Sequence, residues 1–253
     1  MYRLTFLISS LVLVLTLLLA EESWTSSFNV SPLQVVLSTS GPSALVEIRN
    51  QAMEPLRLQL SVTSWEQSPA GEMIVTPTED IVLFPTLVTL EPGETRKVRL
   101  GTASPAAATE KTFRVFVEEL PSREQTAQEA GTIRVMTRLS IPVFLQPGKR
   151  VAAGDIQGVT MKDGIASFRL ENTGNVHFSA RHIRVVGMAE SGDVIGEQAV
   201  EGWYILAGGS RRYDMPFSTT KNCSNIRKLA VEAETEIGTF TKQADVPSGA
   251  CSH

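Results

Sequence analysis

The side chains that could do chemistry in this chain are few and dispersed. Its three histidines, His177, His182 and His253, show no spacing that would gather metal ligands. Ser210 follows two glycines, a turn sequence, and the chain has no Gly-x-Ser-x-Gly, no phosphate-cradling glycine loop and no His-Glu-x-x-His. Glu118 and Glu119 are adjacent, so on a strand they point to opposite faces and cannot share a substrate. A catalytic site needs groups that converge. None do, so we expect no catalytic residue, no metal and no cofactor. The only two cysteines, Cys223 and Cys251, lie close together near the C-terminus. In an exported protein such a pair reads as one disulfide, a staple within the C-terminal part of the chain.

The elements that must position any site are strands. The organising stretch is residues 132–144. Ile133, Val135, Leu139, Ile141 and Val143 alternate there with Thr132, Arg134, Arg138 and Ser140, while Thr137 and Met136 interrupt the two rows. Period-two alternation means one apolar and one wet face. The run exceeds the ~5–6 residues usual for a strand. Part of it is therefore expected to offer its apolar face to another protein. Further short strands are expected across 28–37, 44–49, 56–65, 81–83, 87–90, 98–100 and 113–117. After the linker-like 146–150 they resume at 165–170, 183–187, 203–206, 212–217, 228–234 and 238–242. Turn chemistry separates them, as in Glu91-Pro92-Gly93-Glu94, where Pro then Gly suits a type II turn. No long amphipathic helix is evident, and many short strands imply sandwiches or barrels.

The two halves also echo each other. Residues 44–50 (ALVEIRN) resemble 166–172 (ASFRLEN), and Leu90, Gly93 and Arg96 repeat as Leu206, Gly209 and Arg212. In order, the echoes support two related β-sandwiches, each of about 100 residues. Residues 1–20 are expected to be a secretory signal peptide: Arg3 precedes an apolar run, and the small Ala20 ends it. The alternative is an uncleaved anchor, although the run falls slightly short of the ~20 apolar residues needed to span a bilayer. No later run has spanning length, so no membrane insertion is expected after cleavage. The formal net charge of −4 argues against a nucleic-acid binder.

The order of these features resembles the periplasmic pilus-assembly chaperones of Gram-negative bacteria. It comprises a leader, an apolar strand ending in Asn50, LEPGETR at 90–96, FRVFVEELP at 113–121, a polar loop at 122–131 and the 132–147 stretch. The phrases FRVFVEELP and SIPVFLQP are most similar to the archaic branch serving spore-coat and Csu-type pili. That resemblance implies an all-β chain of two immunoglobulin-like β-sandwich domains in an L, at 24–147 and 151–253. It implies a chaperone without ATP or enzymatic activity that lends a strand to an incomplete pilin, donor-strand complementation, and delivers it to an outer-membrane usher. By analogy the donor residues are Ile133, Val135, Thr137 and Leu139, while Leu139, Ile141 and Val143 are expected to serve the protein's own core as well. Members of the best-known branch hold the pilin C-terminal carboxylate with an Arg and a Lys, but those places hold Gln34 and Pro142 here. Arg114 is the replacement anchor we expect, with Arg138 in support, since a guanidinium fork suits a carboxylate. The exposed row would also allow self-association of the free protein. The competing reading is an exported structural or adhesive immunoglobulin-like protein whose strand is only core.

Overall fold

The structure is a computed structural model that describes residues 28–68, 70–105, 107–121, 135–217 and 222–251. The expected signal peptide at 1–20 lies outside them, as does Ile133. Two β-sandwiches follow one another along the chain. The first begins with β1 (Phe28–Ser31), β2 (Val35–Leu37), β3 (Ser43–Asn50), β4 (Leu56–Gln67) and β5 (Met73–Pro77). It continues with β6 (Val82–Phe84), β7 (Leu87–Leu90), β8 (Thr95–Gly101), β9 (Lys111–Leu120) and β10 (Arg138–Leu145). One sheet has the order β1-β3-β8-β6; the other runs β2-β10-β9-β4-β5, with β7 also on β4.

Alternation explains why these residues form these layers. Val46 and Ile48 of β3 and Val98 and Leu100 of β8 point inward from one sheet, between charged neighbours that point out. They meet Leu56, Leu58 and Leu60 of β4, Phe113, Val115 and Val117 of β9, and Ile141, Val143 and Leu145 of β10. Each fully buried aliphatic side chain contributes about 1.5–3 kcal/mol. The turn expected at residues 91–94 is present: Glu94 N–H donates to Glu91 O at 2.9 Å, and Gly93 has φ 76°. That positive φ is the value a type II turn demands at its third position.

The second sandwich contains β11 (Gly154–Lys162), β12 (Ile165–Asn172), β13 (Phe178–Met188), β14 (Val194–Glu201), β15 (Tyr204–Ile205), β16 (Ser210–Pro216), β17 (Lys228–Thr235) and β18 (Gly238–Asp245). Its sheets are β11-β12-β16 and β14-β13-β17-β18, with β15 on β13. Cys223, in a short 3-10 turn, is bonded to Cys251 just beyond β18. Both cysteines belong to the second core. The all-β, two-sandwich reading of the sequence is therefore the fold observed. Three strands escaped it: β5 and β14 face mostly solvent, and in β11 a bulge between Gln157 and Thr160 breaks the alternation that its buried Ile156 and Met161 would otherwise show.

The organising stretch needs a correction. A continuous strand over 132–144 is expected from its pattern, but β10 is hydrogen-bonded only over Arg138–Leu145. Residues 135–137 have left the ladder, apart from Thr137 O, which accepts the Glu119 N–H at 3.0 Å. Apolar alternation records which side chains could be buried, not which backbone groups find a partner within the same chain.

Candidate functional site

The site is built on the outward face and free edge of the β10-β9-β4 sheet. On β10 the inward row Ile141, Val143 and Leu145 is committed to the protein's own core, with Leu139 packed partly against it. The other donor candidates differ. Val135 is 71% exposed, and Thr137 is half-buried. The row is thus sealed at its C-terminal end and open at Val135.

The backbone shows the same division. β10 pairs with β9 along its whole length, whereas parallel β2 covers its other edge only at Val143–Leu145. On that side residues 138–142 face no strand among the described residues. Their outward N–H and C=O groups are a template for an added strand.

Arg114 sits one strand inward from this edge. Its register partners are Pro142 on β10 and Thr63 on β4. It is 5% exposed, has no ion-pair partner among the described residues, and its Nε has no hydrogen-bond partner. Its guanidinium carbon lies 3.8 Å above the centre of the Trp65 ring, a cation–π contact. Burial holds the Arg114 pKa below its ordinary value, with Tyr204 pulling it the other way; burial likewise pushes the Tyr204 phenol up. A buried, unpaired cation is costly to keep. An incoming anion would offset that cost.

Arg138 is placed differently. It pairs with Glu118 at 2.5 Å and lies 4.2 Å over the Phe116 ring, on the exposed part of the same face. Glu118 stands four residues from Arg114, about 13 Å along a strand at ~3.3 Å per residue. The two cations expected to cooperate are therefore separated, and one already holds a carboxylate.

Around Arg114 the two sandwiches meet. Trp65, Phe144 and Leu206 form a small core of their own, with Tyr204 packed against it. Tyr204 stands edge-on to Trp65 at 5.7 Å and donates its hydroxyl to Gln34 Oε1 at 3.2 Å. Gln67 bridges to Tyr204 O and to Leu206 N–H. His177 stacks on Phe144 at 3.5 Å, and its Nδ1 lies 2.6 Å from the fully buried Glu110 carboxylate. The His177 of the sequence reading is thus part of the seam between sandwiches. Thr63, Trp65 and Tyr204 were missed in the sequence, although Trp65 carried a signal. It ends the otherwise polar row Arg57, Gln59, Ser61, Thr63, and a large aromatic on a wet face asks for a partner. Among the described residues no group of three or more His, Cys, Asp or Glu is placed to hold a metal ion. No helix of theirs is long and apolar enough to cross a membrane.

Residues 27–150 match the family model described as pili and flagellar-assembly chaperone, PapD N-terminal domain. No curated protein matches the chain by sequence. Among solved structures, it is similar to the CsuC–CsuE chaperone–tip adhesion subunit pre-assembly complex from archaic chaperone-usher Csu pili of Acinetobacter baumannii. There the TM-score is 0.58 at 17% identity, over 87% of this chain and 98% of that one. The YadV chaperone gives 0.56 at 15%, over 87% and 100%. The class 5 fimbriae chaperone CfaA gives 0.55 at 16%, over 85% and 98%. At such identities the likeness is one of fold, and it extends over both sandwiches. The family's N-terminal domain is thus matched across the first sandwich, and the fold of solved pilus chaperones continues through the second, which together support reading the chain as a pilus-assembly chaperone, a protein that binds subunits.

Proposed function

We propose that this protein binds pilin-type subunits in the periplasm by lending them the segment that leads into β10, and passes them to an outer-membrane usher. The observation that carries the reading is the open edge of β10 at 138–142, continuous with the exposed Val135. A subunit strand added there would pair with backbone groups, which makes affinity tolerant of sequence. The side chains of Val135 and Thr137, with Ile133 before them and Leu139 after, would fill a groove in the subunit. Each aliphatic donor buried would contribute about 1.5–3 kcal/mol.

The geometry also supports a direction. β2 occupies the edge from Val143 onward, so an added strand must stop near Pro142, the register partner of Arg114. A subunit whose C-terminal carboxylate ends at Arg114 would run parallel to β10. Arg114 is the anchor in this reading, and Arg138, held by Glu118, borders the groove. Periplasmic export and usher delivery rest on the family match of the first sandwich and on the apolar N-terminal segment.

Affinity-tagged protein recovered from the periplasm of pilus-expressing cells is the test. Wild type should bring down a smaller subunit in equal amount, and Arg114→Ala should bring down far less. Recovery of no subunit, with the protein instead polymerised or at the cell surface, would favour a structural or adhesive role.

A further inference from the structure

Every residue assigned above to the subunit belongs to the first sandwich, yet one side chain of the second lies across the same sheet. Tyr204 is fixed there through its backbone from both sandwiches. It pairs with Ser179 of β13. Gln67 lies two residues beyond Trp65, on the same face of β4. Its Nε2 donates to Tyr204 O at 2.8 Å, and its Oε1 accepts the Leu206 N–H at 3.1 Å. The Tyr204 ring then stands at 90° to the Trp65 ring, with centres 5.7 Å apart, and 5.6 Å from the Phe144 ring of β10. Its hydroxyl donates to Oε1 of Gln34, the residue before β2, at 3.2 Å. The sheet order is β2-β10-β9-β4, so this one side chain bridges from the flank of β2 to β4, across the strand that carries Arg114.

The bridge bears on Arg114 through Trp65. Among the described residues Arg114 has no ion pair, and its Nε has no hydrogen bond, which leaves the Trp65 ring, 3.8 Å below the guanidinium, to orient it. An edge-on aromatic neighbour fixes the plane of that ring. A side chain fixed before a partner arrives loses less freedom on binding. A residue needed only to fill the seam would be served by an apolar ring. The Tyr204 hydroxyl instead reaches out of the Trp65, Phe144 and Leu206 core to the exposed Gln34. We propose that Tyr204 is a positioning residue for subunit binding: tethered by Gln34 and Gln67, it holds Trp65 in place beneath Arg114. The second sandwich thereby prepares a site that lies wholly on the first. This inference rests on the subunit-binding reading above and adds to it a residue that touches no subunit.

The test uses whole chains in the periplasm of pilus-expressing cells. Two forms with different affinity tags are expressed together in equal amount, and the subunit recovered on each tag is compared. Against wild type, Tyr204→Leu should capture roughly tenfold less subunit, within the range of coupling between residues in contact. Tyr204→Phe should capture roughly threefold less, the scale of one lost hydrogen bond, and Gln34→Ala should match it. Arg114→Met is then set against Arg114→Met that also carries Tyr204→Leu. Those two should capture equal shares, because the group to be positioned is gone. The same loss from Tyr204→Leu in both backgrounds would mean a direct contact or a seam filler, and would overturn the role of Tyr204. Should Tyr204→Leu unfold at lower urea than wild type, Tyr204→Phe, which keeps the ring, is compared in both backgrounds and decides in its place. Full capture by both Tyr204 variants would also remove that role and leave subunit binding standing. No subunit on a wild-type tag would remove the subunit-binding reading itself.

Discussion

The two sandwiches are built round the same corner and finished differently. In the first, the buried Asn50 donates through Nδ2 to Glu54 O at 2.8 Å and to Leu90 O at 3.0 Å, while its Oδ1 accepts from Ala52 N–H. In the second, Asn172 donates to Val176 O at 2.8 Å and Ile205 O at 2.9 Å, and accepts from Gly174 N–H. Asn50 N–H reaches Glu94 O, and Asn172 N–H reaches Gly209 O. One short amide side chain pins a strand end to the following loop and to the turn before a distant strand. The last strands differ. β18 forms a hairpin with β17, and the chain beyond it is stapled by Cys251 to Cys223. β10 is paired on one side and mostly open on the other. Equal corners make equal folds; both last strands have an open edge, but only that of β10 continues into the exposed Val135 and lies beside the buried Arg114, which makes the first sandwich the candidate binding site.

The comparison can be attacked most strongly through the staple. Cys223→Ser should remove about 3–4 kcal/mol from the second sandwich by the chain-entropy argument for a separation of 28 residues. Urea unfolding followed by hydrogen exchange in each sandwich should show the first nearly unaffected. The corners come next. Asn172→Ala and Asn50→Ala should each cost about 2–4 kcal/mol, since each strands two carbonyls. Asn172 should cost more, because both its acceptors are buried, whereas Glu54 O is only part-buried. Equal effects would remove the burial argument.

The open edge predicts the reverse pattern, function lost with stability kept. Val135→Asp should reduce subunit recovery roughly tenfold or more, the loss of one buried aliphatic group. The melting temperature should stay within a degree or two, because the side chain is already exposed. A smaller change is expected from Arg114→Met. Replacing a buried unpaired cation by an apolar chain should leave stability unchanged or raise it by up to ~1 kcal/mol, while subunit recovery falls.

The smallest effect is in the first sandwich's ion pair of Asp80 with Lys111. Hydrogen bonds from Lys111 and Ser104 hold the Asp80 pKa below its ordinary value. A depressed carboxylate adds stability above its unfolded pKa and loses it as pH falls through the folded one. Asp80→Asn should therefore destabilise slightly at pH 7, by less than ~1 kcal/mol because the pair is well exposed. The difference should vanish in acid below the usual aspartate range.

The echo between halves was legible in residues 44–50 and 166–172, since strand alternation and the corner Asn are local patterns. Its second part was misregistered by one. The sequence match sets Gly93 against Gly209, but Gly93 and Gly208 share the left-handed φ, at 76° and 66°, and Glu94 and Gly209 are the residues that meet the two Asn N–H groups. A glycine letter does not say which glycine bears the positive φ; the turn does.

By itself the sequence determined the all-β class, the two-sandwich organisation, the cysteine pairing and the resemblance to pilus-assembly chaperones, because each rests on short-range pattern or on residue type. It also supplied Arg114 and Val135 as names. Only the tertiary structure decided that Arg114 is buried over Trp65 without an ion-pair partner among the described residues, that Arg138 is already held by Glu118, and that β2 closes the β10 edge at Val143. Those outcomes depend on which strands become neighbours. Neighbours far apart in the chain are chosen by the packing of the whole sandwich and not by any run of letters.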